Sequence, residues 1–145
     1  MDEFKKIQEM PIMQKAEEIY QLVEGLATLI PEDEDDILGA ERRFMREDAM
    51  IIPAKIMGAE AADIYDLRME NAAIIRKAAR EIYVRAGSLD MYGFDQTEYA
   101  DLIRKEIDNF KLLFREWVKS FDPWNYIVDD WGLFNPPGIE AGEDE

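Results

Sequence analysis

The sequence predicts an all-α fold: a single up-and-down four-helix bundle with a kinked second helix and an aromatic, irregular C-terminal tail. Four segments carry apolar residues at alternating spacings of three and four, which is the repeat of a helix with one buried face. No segment shows the sustained apolar–polar alternation of a strand, so a sheet is not expected. Short loops between helices of this length favour antiparallel neighbours in a bundle.

The first long helix is predicted between Pro11 and Pro31. Pro11 suits the first helical turn, where a missing N–H costs nothing, and Pro31 marks the end of the pattern. A separate short turn of helix is expected before Pro11. The buried stripe consists of Ile12, Ala16, Ile19, Val23, Leu26 and Ile30.

An acidic loop, residues 31–36 (PEDEDD), precedes the second helix. Negative charge is favourable at a helix N-terminus, and the spacing lacks the turn glycine and distal Glu of a calcium loop. The helix begins near Ile37, and the segment ERRFMRED is expected to form a mixed-charge outer face. The apolar stripe consists of Leu38, Met45, Ala49, Ile52 and Ile56.

Pro53 stands inside this stripe. Because the apolar spacing continues from Ile52 to Ile56, the helix is expected to pass through the proline. Proline removes one backbone hydrogen bond and clashes with the carbonyl of Ala49, so a kink is predicted there. For residues 59–69 the sequence leaves open a loop, a short helix or a continuation.

The third and fourth helices show the same apolar spacings of three and four residues. Gly93 is predicted to end the third helix, Asp95 and Glu98 resemble a capping box for the fourth, and Pro123 is predicted to end it. The stripe of the third helix is Ile75, Ala79, Ile82, Ala86 and Leu89. The fourth has a bulkier face, formed by Tyr99, Ile103, Ile107, Phe110, Phe114, Trp117 and Phe121.

The chain is therefore divided into a helical region, residues 1–121, and a tail, residues 122–145. The tail contains no Lys or Arg, ends in acidic residues and carries four candidate docking aromatics: Trp124, Tyr126, Trp131 and Phe134. The rings either fold back over the bundle, since exposed aromatic clusters are costly, or dock into a neighbouring subunit or partner. Disorder is expected only after about Ile139.

Composition argues against an enzyme. The chain has no cysteine and no histidine, which excludes disulfides and thiolate-bound metals and removes the commonest general base. No phosphate-binding loop or nucleophile motif is present, so no catalytic residue, cofactor or metal is predicted. Without a signal peptide or an apolar span, a cytoplasmic protein that does not enter the membrane is expected.

One basic cluster stands out in a chain of net charge −16. Arg76, Lys77, Arg80 and Arg85 lie within ten residues of the third helix. They either contact an anionic partner such as RNA or pair with the acidic surface of the same bundle or of another subunit. The acidic net charge disfavours nucleic acid, because affinity for phosphate backbones comes from Lys and Arg.

Two motifs resemble a known family. The first is IIPAKI, residues 51–56, and the second is YVRAGSL, residues 83–89; the opening QKAEEIYQLVEGL is also similar. Over residues 10–121 the chain resembles the bacterial four-helix-bundle proteins encoded by intervening sequences of 23S ribosomal RNA, a group that includes the accessory protein of diversity-generating retroelements. The resemblance implies a closed homo-oligomer, often ring-shaped, and a nucleic-acid-associated role.

These observations predict a non-enzymatic, self-associating helical-bundle protein that binds or scaffolds. The first alternative is a nucleic-acid-associated accessory protein, as the family resemblance implies. The second is an acidic inhibitor or immunity-like protein that presents residues 32–36 to a basic partner.

Overall fold

The computed structural model describes residues 2–31 and 36–142, and within them the chain is helical with no strand. Four long helices are present, as predicted, and a short one precedes them where a helical turn was expected. The helices are α1 (Glu3–Gln8), α2 (Pro11–Ala27), α3 (Ile37–Ala62), α4 (Tyr65–Ser88) and α5 (Thr97–Lys119). A 3₁₀ turn, Leu89–Tyr92, directly follows α4.

The four long helices contact one another in cyclic order. Helix α2 packs on α3 and α5, and α4 packs on the same two helices. Each contributes the predicted apolar stripe to one core, in which Ile19, Ile52, Ile75 and Ile103 are fully buried. Since every stripe meets two neighbours, burial of these faces supplies the main free energy that holds the helices together.

Helix α3 runs through Pro53 and continues to Ala62, as the apolar spacing predicted. It ends at Asp63, which adopts a left-handed conformation with φ of 51°. Aspartate tolerates this region better than most residues. Only Asp63 and Ile64 separate α3 from α4, so residues 59–69 form the end of one helix, a tight break and the start of the next.

The helix-end predictions had mixed outcomes. Gly93 does end the extension of α4, with φ of 94°. The capping box was wrong: α5 begins at Thr97 behind Gln96, and no side chain caps it. The helix starts one residue too late for Asp95 to occupy the capping position. Helix α5 also ends at Lys119, before Pro123 is reached.

The mixed-charge outer face predicted for α3 was wrong in part. Glu41 turns toward α4 and accepts a hydrogen bond from Arg85 at 2.8 Å, and Asp48 also lies against α4. Because α3 packs on both α2 and α4, neighbouring helices also cover residues outside its apolar stripe. In the acidic loop, residues 32–35 lie outside the described residues. Asp36 caps α3 by accepting the Gly39 N–H at 3.1 Å.

A carboxylate and an ammonium group join α2 to α5. Lys15 Nζ lies 2.6 Å from Glu106 and 2.8 Å from Glu18. The hydrogen bond to Glu106 raises the pKa of Lys15, and the same bond lowers the pKa of Glu106 below its usual range. Glu106 is 9% exposed and was not singled out from the sequence, where it stands beside the stripe residue Ile107.

Glu60, near the end of α3, joins three helices. Its Oε1 accepts hydrogen bonds from Trp117 Nε1 of α5 and from Arg68 of α4, both at 2.7 Å. The Arg68 guanidinium also lies 4.2 Å from the centre of the Phe121 ring. The Arg68 and Glu60 side chains are only 11% and 18% exposed, so solvent screens this pair weakly.

Replacement of Glu60 by alanine is expected to destabilise the protein by about 2–4 kcal/mol, because it leaves the Trp117 N–H without its acceptor and the Arg68 charge with only the exposed carboxylate of Asp63, 3.6 Å away. Urea unfolding measures this loss. Glu70→Ala, an exposed carboxylate on α4, is the matched control and is expected to change stability by less than about 0.5 kcal/mol. Equal effects of the two substitutions would contradict the importance of the Glu60 contacts.

Candidate interaction surfaces

The basic cluster of α4 divides between two environments. Arg76, Lys77 and Arg80 are exposed on the side of α4 away from the core. Lys77 forms a long ion pair of 4.0 Å with Glu81 on the same helix. Arg76 and Arg80 make no ion pair within the described part of the chain, and these two side chains are therefore the ones available to an acidic partner.

Arg85, the fourth member of the cluster, is engaged inside the fold. Its guanidinium donates to Glu41 and lies 4.5 Å from the centre of the Phe44 ring. The side chains of Arg85 and Glu41 are 26% and 13% exposed. Pairing with the acidic surface of the same bundle, one of the two fates predicted for the cluster, therefore applies to Arg85.

Two carboxyl groups meet next to this ion pair. Burial is the main cause that raises the pKa of Asp48 to about 7, and the charge of Glu81 and a hydrogen bond with it act in the same direction. The Arg85 charge opposes the shift. One buried oxygen of Asp48 has no hydrogen-bond partner among the described residues. Asp48 is thus protonated below about pH 7, well above the range in which an exposed aspartate loses its proton.

A shallow groove of about 700 Å³ lies above these groups, along α4 on the side of α3. Arg76, Lys77 and Arg80 form part of its wall, with Val84 and Tyr92 beyond them. Arg85, Glu41 and Glu81 also face it, so four cations and two carboxylates line the groove, and Arg85 is paired with Glu41. An excess of cations in this lining does not favour a strongly basic partner.

A second groove, of about 490 Å³, lies on the other side of α4 against α5. Apolar side chains form its floor, among them Ile107, Phe110 and Phe114. Its rim is basic, and the charged residues around it are Arg76, Arg80, Lys111, Arg115 and one acid, Asp108. This α4–α5 groove therefore combines an apolar floor with a positive margin, as is common where a segment of a partner docks.

Residues 122–142, here called the C-terminal arm, contain no helix but are held by specific hydrogen bonds. At its base, the Tyr65 N–H donates to the Asn125 carbonyl at 3.0 Å, and the Asn125 side chain donates to the Asp63 carbonyl. The break between α3 and α4 thus serves as the attachment point of the arm.

A turn organised by Asp129 forms the tip of the arm. The Asp129 carboxylate accepts the backbone N–H groups of Trp131, Leu133 and Phe134 at 2.9–3.0 Å. The bonds from Phe134 and Leu133 hold the pKa of Asp129 below its usual range. Asn135 closes the turn by exchanging hydrogen bonds with the Asp129 backbone. The turn is therefore pre-organised, and it remains charged at neutral pH.

The C-terminal arm directs apolar side chains into solvent. Trp131 is 96% exposed, Leu133 71% and Trp124 61%, whereas Tyr126 and Phe134 are partly covered. The interpretation in which the rings fold back over the bundle therefore does not hold for the two tryptophans. Disorder was expected after about Ile139; residues 140–142 are described, with no helix or strand, and residues 143–145 lie outside the described residues.

The sequence identified the aromatic residues of the arm but not the groups that hold them. Asp129, Asn135 and Glu60 were not predicted to have a role. An Asp followed two to five residues later by Trp, Gly, Leu and Phe is a recognisable signal for a turn in which the carboxylate accepts several N–H groups. Glu60 gives no such local signal, because its partners are remote in sequence.

Comparison of the chain with protein families, curated proteins and solved structures finds no match. Residues 2–31 and 36–142 contain no group of three or more potential ligand side chains placed to hold a metal ion. No helix in the same ranges is long and apolar enough to cross a membrane.

Stability is expected to fall as pH rises from about 4 to about 7, because the folded state keeps a proton on Asp48 that the unfolded state releases above pH 3.8. Asp48→Asn replaces the titrating carboxyl group by a neutral amide, which can still donate a hydrogen bond to Glu81. Its melting temperature is expected to exceed that of the wild type by about 3 °C at pH 8, the effect of roughly 1 kcal/mol in a domain of this size.

At pH 4 the Asp48→Asn difference is expected to disappear, since the wild-type carboxyl is then protonated as well. Asp95→Asn, at an exposed site, serves as the control and is expected to leave the pH profile unchanged. Thermal unfolding followed by circular dichroism measures both variants. An Asp48→Asn effect of the same size at both pH values would show that the proton on Asp48 has no part in it.

Proposed function

We propose that this protein is a non-enzymatic helical-bundle module that associates with copies of itself and acts as a binding or scaffold protein. The observation that carries the proposal is the outward presentation of Trp131 and Leu133 by a hydrogen-bonded turn. Monomeric proteins rarely expose such side chains in a fixed geometry, and Trp is a frequent anchor at protein interfaces.

Within this proposal the four long helices form an up-and-down bundle. Their cyclic packing supports it, as does the two-residue connection between α3 and α4, which favours antiparallel neighbours. A bend at Pro53 belongs to the same proposal, because the helix continues through a residue that cannot donate its backbone hydrogen bond. A cytoplasmic location is also proposed, in keeping with the absence of cysteine.

Pre-organisation matters for the energetics of such an interface. An indole buries roughly 150–250 Å², which at about 25 cal/mol per Å² contributes about 4–6 kcal/mol. Association costs about 4–15 kcal/mol in lost motion. Trp131 alone therefore does not suffice, and further apolar contact by Leu133, charge pairing or closure of a symmetric oligomer is needed to stabilise the assembly. The rigid turn lowers the cost of ordering the arm.

Solution mass tests the proposal. Light scattering over a wide range of protein concentration is expected to give a multiple of the 16.9 kDa chain mass for the wild type. Trp131→Ala/Leu133→Ala is expected to shift the protein to 16.9 kDa, because the apolar anchors of the interface are lost.

Met91→Ala is the control for these substitutions, since Met91 is 76% exposed but lies on the 3₁₀ turn rather than on the arm. It is expected to retain the wild-type mass. A wild-type protein that stays at the mass of one chain at every concentration would contradict self-association.

A nucleic-acid-associated accessory protein is the second candidate, as the family resemblance implies. Exposure of Arg76 and Arg80 without an ion pair in the described residues favours it, whereas the net charge of −16 opposes it. RNA binding that weakens steeply with salt and is lost on charge reversal of Arg76, Lys77, Arg80 and Arg85 would favour this function. No described feature favours the acidic-inhibitor alternative, whose main residues, 32–35, lie outside the described ranges.

A further inference from the structure

We propose that the α4–α5 groove of one copy receives Trp131 and Leu133 from the C-terminal arm of a second copy. This inference rests on the proposed self-association and assigns the two surfaces that form its interface. It commits the groove to a segment of the same chain rather than to a different protein or a nucleic acid.

Apolar complementarity is the first argument. The apolar groove residues that are open to solvent are Val84, which is 66% exposed, and the partly exposed Tyr83 and Phe114, whereas Ile107 and Phe110 are nearly fully buried. Partly exposed aromatic rings of this kind accept a further ring edge to face. The groove volume of about 490 Å³ falls within the range of roughly 300–1,000 Å³ that is typical of pockets which bind a compact apolar group.

Charge complementarity is the second argument. Four cations and one carboxylate surround the groove, and Lys111 lies 3.9 Å from that carboxylate, Asp108. The arm carries four acidic residues between positions 122 and 142 and no Lys or Arg. In a chain with about twice as many acids as bases, the α4–α5 groove is a locally positive surface, and the arm matches it in sign.

The geometry of the arm supplies the third argument. Trp131 is 96% exposed, so it does not occupy the groove of its own chain. The arm is fastened at Asn125 to the break between α3 and α4, and its tip is closed by Asp129 and Asn135. A tip of fixed shape that exposes Trp131 and Leu133 to solvent is suited to insertion into a neighbouring molecule. Each copy then has one arm and one groove, so every arm and every groove is occupied in a reciprocal dimer or in a closed ring.

Charge reversal on α5 tests the groove without touching the α3 side of α4. Lys111→Glu/Arg115→Glu is expected to weaken self-association by about tenfold or more, because the rim would then repel the acidic arm. Lys77→Glu/Lys105→Glu is the matched control: it changes the charge by the same amount, but Lys77 faces the α3 groove and Lys105 is exposed elsewhere on α5. The control is expected to keep the wild-type mass.

Mixing defective variants gives the decisive measurement. The arm variant Trp131→Ala/Leu133→Ala keeps an intact groove, and the groove variant Lys111→Glu/Arg115→Glu keeps an intact arm. Each is expected to be largely monomeric alone, and an equimolar mixture is expected to form a complex of one copy of each. Circular dichroism and thermal unfolding of each variant check that its fold is retained.

The outcomes separate the two proposals. A groove variant with wild-type mass, beside a monomeric arm variant, would overturn the groove assignment and leave self-association through the arm in place. Failure of the mixture to form the complex would also overturn the groove assignment. Capture of RNA by the groove with no change in mass would assign it to a different occupant. A wild-type protein that is monomeric throughout would overturn both proposals.

Discussion

The carboxylate of Glu60 is the contact on which the rest of this end of the molecule depends. Its Oε1 binds Trp117 of α5 and Arg68 of α4, so one side chain of α3 fixes the relative positions of three helices. Arg68 in turn covers the ring of Phe121, the last buried residue before the arm. The Glu60–Arg68 ion pair and the buried Phe121 ring therefore meet at the point where the arm begins.

The α4–α5 groove and the C-terminal arm carry opposite charge. Several basic residues are paired within the fold, as with Lys15 against Glu106 and Arg85 against Glu41. Around the α4–α5 groove, Arg76, Arg80 and Arg115 make no ion pair within the described residues. In the proposed self-association, an acidic arm and a locally basic groove would attract copies that otherwise repel one another through a net charge of −16. Apolar contact at Trp131 would then supply affinity at short range.

Periodicity predicted the four long helices well, since apolar spacing reports directly which face of a helix is buried. It predicted the passage of α3 through Pro53 for the same reason. The break at Asp63 was not predictable, because Asp in a left-handed conformation has no spacing signal. Asp48 was assigned to an exposed face, since a sequence shows which side of a helix is apolar but not that a second helix covers the polar side. The Asp129 turn is local, since its hydrogen bonds span only two to six residues, but the sequence does not show that the folded chain leaves Trp131 uncovered. The Glu60 contacts were not predictable, because they join residues distant in sequence.

Fluorine NMR of the protein with fluorotryptophan in place of its three tryptophans tests the central claim most directly, because each indole reports its own accessibility. Trp131→Phe assigns its resonance, and the buried Trp117 is the internal reference. As concentration rises and copies associate, the Trp131 signal is expected to shift and to become protected from a soluble paramagnetic quencher, while that of Trp117 stays constant. A Trp131 that remains as accessible in the assembled protein as in dilute solution would contradict docking through the arm.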